Sequence, residues 1–424
     1  MTTCVPREQR PYDPADISSL QFWSITAAER EKVFAELRRE RPISWHRPVK
    51  NGLFEDPNDQ GFWAVVRHAE LVEVTRRHDD FVSGQGILFE SMPQELLDIG
   101  QGFIAMDPPR HTKIRRLLTA AFTPKQMSRI EDHIIANARR IVDDIADKGE
   151  VDFVKEVSAL VPMHNICDMV GIPEEHRKTI AYEAQFAGGW RDPNLMRGAE
   201  PLSRLLQAAA TVRQIADELI AERRRAPKDD LLTALVQAEV DGERLSDDEI
   251  SSFFNLLMIA GNDTTRQSTS HGMKALTDFP DQRAWLMQDL HGRMPTAVEE
   301  TVRWASPIMT FRRTAARDCE LGGQFITEGD KVVMFYASAN FDPEVFDHPE
   351  RLDLSRSPNK HVAFGGGGIH HCLGNQLARR QLAATFRELL SRLPDIHVVG
   401  DPVYGTGNFF HAVLSMTVRF TPER

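Results

Sequence analysis

A chain of 424 residues with 41% hydrophobic and 27% charged side chains has the composition of a globular protein with a large core, which excludes a disordered or fibrous chain. A formal net charge of -11 argues against nucleic acid as the main partner, because phosphate binding needs a basic footprint. Four cysteines, Cys4, Cys167, Cys319 and Cys372, form no C-x-x-C pair, so neither a zinc ribbon nor a disulfide framework is indicated and a reducing cytoplasm is the expected setting.

At about 150 residues per domain the length favours two or three domains, an expectation that the motifs below replace with a single unit over 1–424. Met1 to Asp16 is polar and broken by proline, without the basic cap and apolar run of an export signal. Nowhere do about 18 apolar residues run together, so no integral membrane anchor is expected. Along the chain, β-rich parts are expected near 40–70 and 305–340 and at the C-terminus, with helices over about 68–304 and 373–393: a mainly α fold with a smaller β-rich region. Gly61 to Val66 reads as a short strand. Ser83 to Met106 and Gln185 to Glu200 are poorly patterned and read as loops. Thr123 and Pro124 form an N-cap and N1 pair for a helix with the stripe Ile130, Ile134, Ile141 and Ile145, ended by Gly149. Ser246 and Glu249 make a capping-box pattern directly before the apolar run Ile250 to Ala260. Leu321 to Phe335 reads as a hairpin turning at Glu328, Gly329 and Asp330. A last helix follows Cys372, with Leu373, Leu377, Leu382, Phe386 and Leu389 on one face until Pro394.

Three motifs carry chemistry. In Phe364-Gly365-Gly366-Gly367-Gly368-Ile369-His370-His371-Cys372-Leu373-Gly374, four glycines permit close approach to something flat, and the cysteine precedes a helix whose N–H groups favour a thiolate. Such a cysteine suits an axial haem ligand; it could also be a buried small hydrophobe, while adjacent His370, His371 and Cys372 would chelate one ion poorly. Ala260-Gly261-Asn262-Asp263-Thr264-Thr265 interrupts an apolar helix with a glycine and a polar run. Ala260 and Thr264 share a face with Phe253, Leu256 and Leu257, so a small residue and a hydroxyl would meet a ligand there; the alternative is a helix bent by Thr264 bonding back to a carbonyl. Glu300 and Arg303 lie at i, i+3, and Pro349-Glu350-Arg351 offers a second arginine downstream.

In this order, and over essentially the whole chain, these motifs resemble those of the cytochrome P-450 family. The resemblance implies a triangular helical prism around a buried haem b whose iron is held by the thiolate of Cys372. It implies an acid-alcohol pair in Asp263 and Thr264, and haem propionates held by His111, Arg115, Arg313 and His370. Ala260, Phe364 and Gly374 fall at positions against the haem, and Glu300, Arg303 and Arg351 at those of the family's Glu-Arg-Arg network. Phe364 lies eight residues before Cys372, one glycine more than in the commonest form of the loop. This longer loop, with Ala-Gly-Asn-Asp-Thr-Thr-Arg and Val332 to Asp342, is similar to that of actinobacterial members acting on sterol side chains, terpenoids and methyl-branched lipids. The implied reaction inserts one oxygen atom of O2 into a substrate C–H bond.

About 30 residues follow the last helix, so no fused reductase is expected there. By resemblance the electrons come from a separate ferredoxin and an NAD(P)H-dependent ferredoxin reductase, and Lys113, Arg116, Arg379 and Arg380 could form a basic docking patch. Candidate walls for an apolar substrate are Ile87, Leu88, Phe89 and Met92, then Phe103 and Ile104, Leu257 and Ala260, Ile308, Met309 and Phe311, and Phe410 and Val413. A haem-binding sensor without turnover would need no acid-alcohol pair, and a peroxide-driven or isomerising haem-thiolate enzyme would dispense with O2-linked proton delivery.

Overall fold

The computed structural model describes residues 6–50, 52, 54, 56–92, 102–122, 124–189, 196, 198 and 200–423. A helix from Asp247 to Asp278, 32 residues and therefore about 48 Å long, is its central element. Its start is fixed by the expected capping box: Glu249 N–H donates to Ser246 Oγ at 3.2 Å, and Ser246 N–H to the Glu249 carboxylate at 2.9 Å. Three acids in its first turn complement the helix dipole. Helices Leu160–Val170, Pro201–Arg225, Leu290–Ala305 and Asn375–Arg392 pack along it. Gly272 sets how closely they pack, because a Cβ there would stand 2.6 Å from the Phe386 ring and 2.7 Å from the Thr301 methyl.

The last helix buries Leu382, Phe386 and Leu389 and ends at Arg392, ahead of Pro394. The Pro124–Asp143 helix buries Ile130, Ile134 and Ile141 as its stripe requires. It stops short of Gly149, and Ile145 is buried from the turn that follows; Thr123 lies outside the described residues. The expected loop at Gln185 begins too early, since the helix Glu174–Gly189 continues through it with Ile180, Ala184 and Phe186 buried on one side; residues 190–195, 197 and 199 are outside the described residues. So are 93–101 of the first expected loop, whose last part, Gly102–Ala105, is a short 3-10 turn.

A five-stranded sheet covers one end. Its spatial order is Ile43–His46, Phe62–Val65, Lys331–Phe335, Thr310–Ala315 and Phe81–Val82, antiparallel except where Lys331–Phe335 runs parallel to Phe62–Val65. The hairpin expected from Leu321 to Phe335 is not formed as one unit. Cys319–Leu321 pairs with Gln324–Ile326 across Gly322 and Gly323, both at positive φ, and Lys331–Phe335 returns to pair with Thr310–Ala315. Gly329 does turn the chain, at φ +82, but between strands of two different sheets. Among the described residues no helix is long and apolar enough to cross a membrane.

Candidate active site

The glycine loop is explained by backbone geometry. Gly365, Gly366 and Gly367 stand at φ +101, +63 and +88, a left-handed run that side chains disfavour. Gly368 has an ordinary φ but lies against the His68–Arg76 helix, where a Cβ would meet the Thr75 carbonyl oxygen at 1.9 Å. The loop closes through Cys372 N–H donating to Phe364 C=O at 2.9 Å and His371 N–H to Gly368 C=O at 2.9 Å. Cys372 lies just before the Asn375–Arg392 helix, and the Gly374 N–H donates to its sulfur. Burial nevertheless raises the thiol above its ordinary range, against that N–H and the charges of Arg115 and Arg379. Phe364 shares the wall with Cys372 and stacks under the Arg379 guanidinium at 4.4 Å.

Cys372 lines a cavity of about 460 Å³ that the central helix also lines, through Leu257, Ala260, Gly261 and Thr264. Thr264 Oγ1 donates to the Ala260 carbonyl at 2.9 Å, so the back-bond that a bent helix would use is present on the cavity face. Asp263 is buried off that face and ion-paired with Arg266 at 2.6 Å; loss of water raises its carboxyl, with Arg266 opposing.

A basic group occupies one side of the cavity. Arg115, Arg313 and His370 line it, and the ring of His111 lies 4.2 Å from that of His370. Arg115 donates to the His371 carbonyl at 2.6 Å and Arg313 to the Arg312 carbonyl at 2.8 Å, while both ring nitrogens of buried His111 have no partner among the described residues. Burial, then the neighbouring cations, pushes His111 down to about 4 and His370 to about 2. Asp107, whose charge reaches His111 and Arg313, is taken up by the N–H groups of Ser83 and Gly84. Two guanidiniums and two imidazoles beside a buried thiol suit a flat group bearing two carboxylates, which needs such donors to be buried at all.

Behind the loop, Glu300 and Arg303 form a fully buried bidentate pair, both bonds 2.8 Å. Arg303 also donates to the carbonyls of Asn340, Pro349 and Arg351. The second arginine is Arg356, not Arg351. Arg356 Nε reaches Glu300 at 3.1 Å, beside Asn359 Nδ2 at 2.9 Å and the Asp353 N–H at 2.9 Å. Arg351 is exposed and contributes only its backbone, because the turn after Pro349 points its side chain outward.

Of the expected walls, Ile87, Leu88, Phe89, Met92, Phe103, Ile104, Leu257, Ile308, Phe311 and Phe410 line the cavity. Met309 and Val413 do not. Met309 alternates to the other face of its segment and packs with Phe335 and Val333, and Val413 joins the core behind the central helix, its N–H bound to Gln267. Leu202, Leu205, Leu206 and Ala209 of the Pro201–Arg225 helix were missed, as were Phe54 and Phe409. An apolar helical stripe looks the same in sequence whether it faces core or cavity. The four candidate docking cations are each matched by a carboxylate: Lys113 by Glu243, Arg116 by Asp241, Arg379 by Glu299 and Arg380 by Glu131, which leaves little uncompensated charge there.

A cysteine loop, an alanine-threonine helix face and a basic donor set around one apolar cavity define a haem-thiolate class of protein. The cytochrome P450 family model matches residues 63–394, and the chain belongs to that family, which makes it a monooxygenase using haem b on a cysteine thiolate. It is similar to a methyl-branched lipid omega-hydroxylase of Mycobacterium tuberculosis, 39% identical over 419 residues covering 98% of this chain and 97% of that one. A steroid C26-monooxygenase of Rhodococcus jostii is 39% identical over 376 residues, 87% of this chain and 77% of that one. A Mycobacterium marinum cytochrome P450 solved in complex with pseudoionone superposes with a TM-score of 0.92 at 58% identity, covering 97% of this chain and 99% of the other.

Proposed function

We propose that this monooxygenase hydroxylates a methyl-branched or isoprenoid lipid, or a sterol side chain, at or near a terminal methyl. The observation that carries the reading is the cavity wall: beyond the basic donor set it is mostly apolar, with Ile87, Leu88, Phe89, Leu257, Ile308 and Phe410 among its members and a minority of polar groups such as Glu183 and Asn408. Each Å² of apolar substrate buried there contributes about 25 cal/mol, whereas few groups could orient a strongly polar molecule. The named activities of the two relatives, and the ligand of the Mycobacterium marinum protein, point to the same chemistry.

In this reading the thiolate of Cys372 holds the iron, whose charge reverses the effect of burial on the thiol. His111, Arg115, Arg313 and His370 bind the propionates, Ala260, Phe364 and Gly374 pack against the ring, and Glu300, Arg303 and Arg356 stiffen the loop. Donors as distant as His111 and Cys372 make 1–424 one functional unit. Bound there, haem supplies O2 activation and insertion of one oxygen atom into a C–H bond, using two electrons and two protons. Thr264 Oγ1 turns from the Ala260 carbonyl to present a proton into the cavity, and Asp263 relays protons to that region once it leaves Arg266. A separate ferredoxin and an NAD(P)H-dependent reductase deliver the electrons, in the cytoplasm. Oxidation at a terminal methyl requires an approach that lets only the chain end reach the iron, and Leu257 and Ala260 share the cavity wall with Cys372.

The test is a titration of the ferric enzyme with a linear fatty acid, a methyl-branched one, an acyclic terpenoid, a sterol and a polar aromatic, followed by product analysis. Spin-state shifts for the branched or isoprenoid compounds and terminal products support the proposal. Preference for the polar aromatic, or oxidation only at mid-chain, refutes it.

A further inference from the structure

Two carboxylates among the cavity-lining residues have no task in the haem reading: Glu90, whose Oε1 accepts from Asn408 Nδ2 at 3.5 Å, and Glu183. Glu183, on the Glu174–Gly189 helix, lines the cavity together with Ala184, Leu202, Leu205 and Leu206. Its Oε2 accepts from Arg204 Nη2 at 2.6 Å, and both side chains are only 12% exposed. Arg204 itself does not line the cavity. Its guanidinium lies 3.6 Å over the Phe186 ring, with Nη1 buried and unpartnered among the described residues. The cation is thus held behind, and the carboxylate is the face shown to the ligand, with Oε1 unbonded among the described residues.

We infer that Glu183, positioned by Arg204, is a specificity-determining acceptor for a hydroxyl on the far end of the substrate, and that the enzyme takes an isoprenoid alcohol in preference to the corresponding free acid. This rests on the substrate reading above and narrows it. A hydroxyl entering an apolar cavity must find a partner. A carboxylate oxygen backed by a guanidinium accepts from it strongly. A free carboxylate at the same place brings no proton to share with the Glu183 oxygen and meets a like charge in a medium that screens poorly, while Arg204 is already bonded to Glu183 and does not line the cavity.

The holoenzyme is titrated with three compounds of one skeleton, farnesol, methyl farnesoate and farnesoic acid, reading the haem spin-state shift. The wild type is expected to bind farnesol at least about tenfold more tightly than the acid, the size of one hydrogen bond to a charged group. Glu183→Leu removes most of that gap while methyl farnesoate changes by less than about twofold, since an ester has no proton to donate. Glu183→Gln, which keeps an acceptor and a contact for Arg204, falls between them, and the carbon monoxide spectrum of each variant reports its folding. Equal or tighter binding of the acid by the wild type, or a gap that survives in both variants, overturns the acceptor role alone. Absence of a shift with all three compounds overturns the isoprenoid reading and the acceptor with it.

Discussion

Arg356→Ala and Arg351→Ala separate the arginine that the structure places on Glu300 from the one that the resemblance implies. Glu300 accepts from Arg303 twice, from the Asp353 N–H, from Asn359 and from Arg356. Removing Arg356 deletes one bond to a buried carboxylate and one to the Asp347 carbonyl, but leaves Glu300 paired. A hydrogen bond to a charged group contributes about 1.5–3 kcal/mol. At about 2.1 cal/mol/K per residue the unfolding entropy of this chain is roughly 0.9 kcal/mol/K, so the melting temperature should fall by about 2–3 °C. Arg351 contributes only its carbonyl, which alanine retains, so its variant should stay within about 0.5 kcal/mol, under about 1 °C. Thermal unfolding of both holoproteins followed by circular dichroism makes the comparison. If Arg351→Ala destabilises as much as Arg356→Ala, the network has been assigned to the wrong side chain.

Thr264→Ala should keep haem and substrate binding while product per NADH consumed falls several-fold and hydrogen peroxide rises; unchanged coupling would leave Thr264 with only its back-bond to Ala260. His271 and His411 are stacked 4.0 Å apart in the interior, and burial holds His271 down to about 4 and His411 well below its ordinary value. The unfolded chain therefore takes up protons that the native state refuses, and stability present above about pH 6.5 is lost as pH falls toward 4, at a limiting slope of about 1.4 kcal/mol per pH unit per histidine. Urea midpoints for the wild type and His271→Gln between pH 7 and 4.5 should converge as the pH falls; parallel curves would contradict this.

Much of the site was legible because its residues break local rules. Four glycines before a cysteine, and a glycine with a polar run inside an apolar helix, have no use in ordinary packing, and both segments face the cavity. The capping box at Ser246 and the stop before Pro394 were local and equally readable. What failed was non-local. Which arginine reaches Glu300 depends on how residues 349–359 coil around a helix some fifty residues earlier, and Arg351 had the more suggestive sequence neighbours. The turn at Gly329 is readable, but neighbouring strands usually pair, whereas Lys331–Phe335 pairs with Thr310–Ala315 and Phe62–Val65 instead. Met309 and Phe311 look alike as apolar residues, and only their seats in the fold divide core from cavity. The Glu183–Arg204 pair gave no signal, since an acid and an arginine 21 residues apart on two helices resemble any surface charges until the helices are docked.

Cys372 as the thiolate ligand of a monooxygenase is read out by the carbon monoxide complex of the ferrous protein. The wild type should show the red-shifted Soret band of a thiolate-bound haem. Cys372→Ser should lose that band and monooxygenase turnover together, while Cys167→Ser, at a buried site whose thiol is pushed up to about 12, should keep both. A red-shifted band that survives Cys372→Ser would mean that another group holds the iron.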